Sequence, residues 1–150
     1  MIYIGSDHRG IHLKEKIKTY LSDEGKAYSD LGTKNEEAVD FPDIGFRVAE
    51  KVRDSIASGG SDRAILICGS GVGMAIVANK VRGVRAVLAT SVEIARAART
   101  DDDINVLVLG ADLEYIDSIE HIIDAFLQTE FDAVERRVRR VQKITDYEAL

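Results

Sequence analysis

The sequence predicts an α/β fold, a three-layer α/β/α sandwich built on a five-stranded, mostly parallel, Rossmann-like sheet. Three observations carry that prediction. Short β-rich runs alternate with helical stretches along the whole chain. Two of the runs, Ala64–Ile67 leading into Cys68 and Val106–Leu109, are continuously apolar, as strands covered on both faces are. Candidate strands also close on glycines, at Gly5, Gly32, Gly69 and Gly110.

Each element has a local reason. Ile2–Ile4 is a short β-rich run ended by Gly5, and Asp7 can cap the helix that follows. Leu13, Ile17, Tyr20 and Leu21 recur there at helical spacing, with lysines between them, until Gly25. Ala27–Leu31 is a weaker second strand closed by Gly32, and Lys34–Asp40 is a polar, acidic loop. Pro42, the only proline, suits a first helical turn. Ile44, Val48, Val52 and Ile56 then form an i+4 ladder that Gly59 and Gly60 stop. After the strand at Ala64, residues Met74–Lys80 read as a helix, Val84–Leu88 as a fourth strand and Val92–Arg99 as an alanine-rich helix. Asp101–Asp103 reads as a loop before the fifth strand, Val106–Leu109. Ile116, Ile119, Ile123, Phe126 and Leu127 stripe a further helix, and a last helix from Phe131 carries Val134, Val138 and Val141. There is no internal repeat, low-complexity segment or linker, so one domain over residues 1–150 is expected.

Composition excludes several classes of function. The net charge is −6, whereas binders of nucleic acid are usually basic. A single cysteine, Cys68, rules out an intrachain disulfide and a multi-cysteine zinc site. The amino terminus lacks a charged leader and a long apolar segment, so no signal peptide is expected. No run reaches the roughly 18–20 apolar residues of a membrane span, and a cytoplasmic protein is the expectation. Absence of tryptophan and of aromatic platforms argues against a flavin-binding module.

The most informative stretch is Ala64–Gly73, a strand, a glycine turn and a helix start. Glycines at 69, 71 and 73 leave the backbone open to a ligand, and the amides at a helix start favour an anion. The spacing matches neither a Walker loop nor the dinucleotide fingerprint. Cys68 is either a small buried hydrophobe or, beside that helix start, a base or nucleophile. His8 follows Asp7 in the first crossover loop, where ligand contact is expected. His12 and His121 read as surface or packing residues, and no histidine pair has zinc-ligand spacing. Asp101–Asp103 reads as a solvated loop, with at most a weak Mg²⁺ signal. Arg136 and Arg140 share a helix face roughly opposite Val134, Val138 and Val141. If those valines pack on their own domain, the arginines point towards a partner subunit, where they would bind phosphate.

Together these motifs resemble a known family. Gly5-Ser-Asp-His-Arg-Gly10 with Leu13-Lys14 and Asp40-Phe-Pro-Asp43 are similar to segments of type B ribose-5-phosphate isomerases and galactose-6-phosphate isomerase subunits. So are Ile67-Cys-Gly-Ser-Gly-Val-Gly73, Ala78-Asn-Lys80, Gly83-Val-Arg-Ala86, Asp103-x-Asn-Val-Leu107 and Arg140-Val141. The resemblance spans nearly the whole chain.

It implies an aldose–ketose isomerase of a small sugar phosphate that needs no cofactor and no metal. Cys68 resembles the base that moves a proton between C1 and C2, and Ser70 the hydroxyl that assists it. The amides of Gly69, Gly71, Val72 and Gly73 would hold the cis-enediolate oxyanion. Asp7 resembles a sugar-hydroxyl ligand, and His8, Arg136 and Arg140 match phosphate-binding positions. The resemblance also implies a homodimer, or a dimer of dimers, with shared active sites.

Three residues depart from the family pattern. Asp101 and Asp102 stand where the family has His-Asn, so Asp101 replaces the ring-opening imidazole. Asp112 replaces a phosphate-binding arginine, for which Arg137 or Arg9 is the candidate substitute, and Phe41 replaces a tyrosine that would face the substrate. A short or open-chain substrate would not need a ring-opening histidine. The alternative reading is a catalytically silent or hetero-oligomeric relative that binds a sugar or phosphate ligand.

Overall fold

The computed structural model describes residues 1–150. Five strands, β1 (Ile2–Ser6), β2 (Tyr28–Asp30), β3 (Arg63–Cys68), β4 (Ala86–Leu88) and β5 (Val106–Gly110), form one sheet in the order β2-β1-β3-β5-β4. Every neighbouring pair is parallel, so the sheet is wholly rather than mostly parallel. The helices are α1 (Ile11–Asp23), α2 (Phe41–Ala57), α3 (Val72–Ala78), α4 (Val92–Asp102), α5 (Ile119–Gln128) and α6 (Glu135–Glu148).

Alternation along β3 sorts the core into two layers. Ile65 and Ile67 join Ile17 of α1, Ala95 of α4 and Ile122 and Phe126 of α5. Ala64, Leu66 and Cys68 join Ile44, Val48 and Val52 of α2 and Met74 and Ala78 of α3. Burial on both faces explains why β3 and β5 read as unbroken apolar runs. Truncating a side chain such as Leu66, which is fully buried, to alanine should cost about 2–5 kcal/mol.

The winding reverses between β1 and β3. From β1 the chain moves outward to β2, then returns to add β3 on the other side of β1. In open parallel sheets, ligands bind beyond the carboxyl ends of strands at such a reversal. Ser6↔Ile67 and Cys68↔Gly110 are the last register pairs there, so the loops after β1, β3 and β5 meet.

Several elements differ from the expectations above. Strand β4 begins at Ala86, because Gly83 (φ 77°) turns the chain and the Asn105 side chain bonds Arg85 N (2.8 Å) and Gly83 O (2.8 Å). Helix α4 runs to Asp102, so Asp101 and Asp102 form its last turn rather than a loop. Carboxylates are disfavoured at a helix carboxyl end, but arginines offset them here. Arg99 (2.7 Å) and Arg85 (2.9 Å) hold Asp103, and Arg137 pairs with Asp101. Helix α5 starts at Ile119, where the Ser118 hydroxyl caps His121 N, and Ile116 is left outside it, exposed.

Helix α6 starts at Glu135 rather than Phe131 and buries none of its residues. Val134 and Val138 are 37% and 45% exposed, so the valine stripe does not pack on the core of its own chain. The helix is tied at its ends, by Asp132 N to Thr100 O (3.1 Å) and by Gly83 N to the Glu148 carboxylate (2.8 Å). No helix is long and apolar enough to cross a membrane.

Candidate active site

A cavity of about 520 Å³ lies at the β1–β3 reversal. Three segments wall it: Asp7, His8 and Arg9 after β1, Val39–Asp43 at the start of α2, and Cys68, Gly69, Ser70 and Gly73 after β3.

Asp7 is 5% exposed, and its Oδ1 accepts from Arg9 N (3.0 Å) and Gly10 N (3.1 Å). This cap winds His8–Gly10 into a 3₁₀ turn and turns His8 and Arg9 towards the cavity. His8 Nδ1 accepts from Val39 N (3.3 Å). An imidazole that accepts at Nδ1 carries its proton on Nε2, which is then a donor for an anion. The same bond ties the loop before α2 to the site.

That loop is anchored further back by Lys14, which has no exposed side-chain surface and donates to Asp30 (2.9 Å) and to Thr33 O. Burial opposes the charge on Asp30. The hydrogen bonds from Lys14, Lys18 and Gly32 N outweigh it and hold the carboxyl below its ordinary range.

The glycine turn is organised around Cys68. Gly71 is left-handed (φ 78°) and its amide donates to Cys68 Sγ (3.1 Å). Val72 N donates to Ser70 Oγ (3.3 Å). Two of the amides expected to face a ligand are therefore engaged within the turn, and neither Gly71 nor Val72 lines the cavity. The amides of Gly69, Ser70 and Gly73 have no acceptor in the chain. Cys68 is both buried, at 5% exposed, and part of the cavity wall, so the two sequence readings of it meet in one place.

Phe41, the second residue of the Asp40-Phe-Pro-Asp43 segment, lies across Gly73. A Cβ at Gly73 would come within 2.7 Å of two ring carbons. Gly73 thus allows close approach of the ring that forms one wall of the cavity.

Asp101, Asp102, Arg136 and Arg140 are not brought to this cavity within one chain. Asp101 pairs with Arg137, which also takes Asp132. Asp102 is exposed at the end of α4, and Arg136 and Arg140 are exposed on α6 without an ion pair. No group of three or more His, Cys, Asp or Glu is arranged to hold a metal ion.

Asp40 and Asp43, which sequence reading did not single out as ligands, also line the cavity, as does Arg9, which it named beside Arg137 as a substitute for the missing phosphate-binding arginine. The signal for Asp43 was its place in the Asp40–Asp43 segment. What sequence reading did not give is the partner of Arg9, which is Asp112, 103 positions away; the two charges pair over Gly69.

Comparison with known proteins shows what this arrangement is similar to. The model of the ribose/galactose isomerase family matches residues 2–144. A putative sugar phosphate isomerase of Bacillus subtilis, YwlF, is 41% identical over 148 residues, 98% of this chain and 96% of its own. The ribose-5-phosphate isomerase B of Escherichia coli is 37% identical over 147 residues, 98% of this chain and 95% of its own. Among solved structures, the ribose-5-phosphate isomerase B of Clostridium thermocellum superposes with a TM-score of 0.90 at 41% identity, covering 99% of this chain and 97% of that one. That of Mycoplasma genitalium, with bound ribulose-5-phosphate, gives 0.89 at 40% identity, covering 99% and 95%.

Proposed function

The chain belongs to the ribose/galactose isomerase family, and on that premise we propose that it interconverts an aldose phosphate and its ketose through a cis-enediolate, with Cys68 as the base. The relatives named as ribose-5-phosphate isomerases of type B make ribose 5-phosphate and ribulose 5-phosphate the first pair to consider. The observation that carries the reading is the common wall: Cys68, unpaired amides of Gly69, Ser70 and Gly73, and Asp7 and His8 face one cavity.

The chemistry follows from those groups. The Cys68 thiolate takes the proton from C2 of the open-chain aldose, and the electron pair moves through C1 to leave negative charge on O1. Unpaired amides of the glycine turn, set before the charge develops, stabilise that oxyanion. The Ser70 hydroxyl relays a proton between O1 and O2, and Cys68 returns its proton to C1 to give the ketose. Gly71 N, already donating to the sulfur, keeps Sγ aimed at the cavity. Asp7 uses one carboxylate oxygen as a turn cap and keeps the other for a sugar hydroxyl. His8 Nε2–H faces the phosphate. No step calls for a cofactor or a metal.

Arg136 and Arg140 act on the phosphate bound to a second copy of the chain, in a homodimer or dimer of dimers. Supporting this, they are exposed, unpaired and outside the cavity of their own chain, and α6 carries exposed Val138, Ile144 and Tyr147 that a partner would cover. Asp101 and Asp102 arrive with them. Because Asp101 is neutralised by Arg137 and is no imidazole, linear substrates are favoured over cyclic ones. The catalytically silent alternative is less well supported, since both Cys68 and Ser70 line the cavity.

The test is an activity screen against C4 to C6 aldose and ketose phosphates, with the unphosphorylated sugars alongside. Turnover of at least one phosphorylated pair, and none of the free sugars, is expected. No turnover across the panel would reject the proposal, and a strong preference for the cyclic ribose 5-phosphate would reject the reading of Asp101.

A further inference from the structure

We propose that Arg9, positioned by Asp112, is a phosphate ligand supplied to the cavity by the same chain that supplies Cys68. This rests on the isomerase reading above and extends it. Strands β1 and β5 flank β3, so the loops after them arrive on either side of Gly69. Arg9 stands on the first loop and Asp112 on the second, and their side chains pair across the glycine. The ion pair lies close over Gly69: a Cβ there would meet Arg9 Cζ at 2.6 Å, Nε at 2.7 Å and Asp112 Oδ2 at 2.8 Å.

Both backbones are fixed. Arg9 N is capped by Asp7, and Asp112 N donates to Gly69 O (2.9 Å). Only one guanidinium nitrogen, Nη2, meets Asp112, which leaves the other donors of the fork free. Arg9 is next to His8, lines the cavity, and has a side chain 61% exposed, so a ligand can reach it. Asp112 therefore acts as a positioning residue. It holds a long cationic side chain in one place over Gly69 and lowers the ordering that an incoming anion must impose. The same carboxylate would repel a phosphate if it stood alone. Paired, it makes the anion-binding power of this wall depend on Arg9.

The experiment compares four chains: unmutated, Arg9→Met, Asp112→Ala and the exchange Arg9→Asp with Asp112→Arg. Each is assayed for kcat and KM on the best aldose phosphate and for binding of inorganic phosphate by calorimetry. Arg9→Met should raise KM and the phosphate Kd by about 10- to 100-fold, the scale of one charged hydrogen bond, with kcat changed less than about threefold. Asp112→Ala, which frees Arg9 without removing it, should raise KM by less than Arg9→Met does. The exchange returns a guanidinium to the same wall and should recover KM to within about tenfold. Unchanged KM and Kd in Arg9→Met would overturn the assignment, and a lower KM in Asp112→Ala would overturn the positioning role. If the unmutated chain turns over no sugar phosphate, the isomerase reading fails by itself. Phosphate binding that still depends on Arg9 would then leave this inference standing, and binding that does not would overturn it.

Discussion

Replacing Gly71 with alanine should separate two costs that the glycine turn avoids. The first is backbone strain. Gly71 has φ 78° and ψ −24°, and a residue with a Cβ loses about 1–2 kcal/mol in that left-handed region. The second is space. A Cβ at Gly71 would sit 2.5 Å from Leu88 Cδ1, 3.2 Å from Leu109 C and 3.3 Å from Gly110 N. The leucine can shift, but two of the three contacts are backbone of β5, which cannot move without disturbing the sheet. Overpacking of this kind costs about 1–3 kcal/mol. The sum is about 2–5 kcal/mol, against a total stability of about 5–15 kcal/mol for a typical domain. At this chain length that corresponds to a fall in Tm of roughly 5–15 °C. Gly59→Ala isolates the first cost, because Gly59 has φ 79° and nothing lies within 4 Å of its Cβ. Thermal and urea unfolding of both variants, followed by circular dichroism, would measure the difference. Gly71→Ala should lose about 1–3 kcal/mol more than Gly59→Ala, and activity as well, because the Gly71 amide also holds the Cys68 sulfur. Equal losses in the two variants would refute the packing account of the turn.

Other consequences are more compact. In Gly73→Ala the nearest contacts of the new Cβ are all on the Phe41 ring, so it should displace that wall of the cavity and raise KM while leaving Tm within about 5 °C, a result read from kinetics and calorimetry together. Hydrogen bonds from the amino-terminal ammonium and Tyr3 hold Asp62 below its ordinary range despite partial burial, and Lys14 and Lys18 do the same for Asp30. For lowered carboxylates the stability they lend is complete above the unfolded pKa of about 3.9 and is lost as pH falls through the folded value. The urea midpoint should therefore fall as the pH drops below about 4, and less steeply in Asp62→Asn; identical slopes would contradict this. Val138→Asp changes a residue 45% exposed on α6, so it should preserve helicity while shifting the sedimentation profile to monomer and reducing activity. A fully active monomer would remove the partner's arginines from the site.

What was legible in the sequence was what local pattern encodes. The apolar runs of β3 and β5 announced strands covered on both faces, and Gly69–Gly73 announced the turn after β3. Pro42 marked the first turn of α2. What escaped depended on contacts between distant residues. The carboxylates at the end of α4 argued for a loop, and only Arg85, Arg99 and Arg137, drawn in by tertiary structure, let the helix continue through Asp102. Periodicity identified the valine stripe of α6 but not what it faces, because a stripe has the same spacing whether a core or another molecule covers it. At the site, Cys68, Ser70, Asp7, His8, Phe41, Gly69 and Gly73 share one cavity, while Asp101, Asp102, Arg136 and Arg140 lie outside it. Asp112 looked like a lost charge until its pairing with Arg9 was visible.

Cys68 is the residue on which the proposed chemistry turns, and proton exchange reports on it more directly than net turnover does. The unmutated chain and Cys68→Ala would each be incubated with the sugar phosphate it isomerises in D₂O, with deuterium at C1 and C2 followed by NMR. The unmutated chain should exchange the transferred proton with solvent during isomerisation. In Cys68→Ala, exchange and isomerisation should fall together by about 10²- to 10⁴-fold, the usual worth of a positioned general base, with substrate affinity kept. Exchange and turnover at the unmutated rate in Cys68→Ala would contradict the assignment of Cys68 as the base.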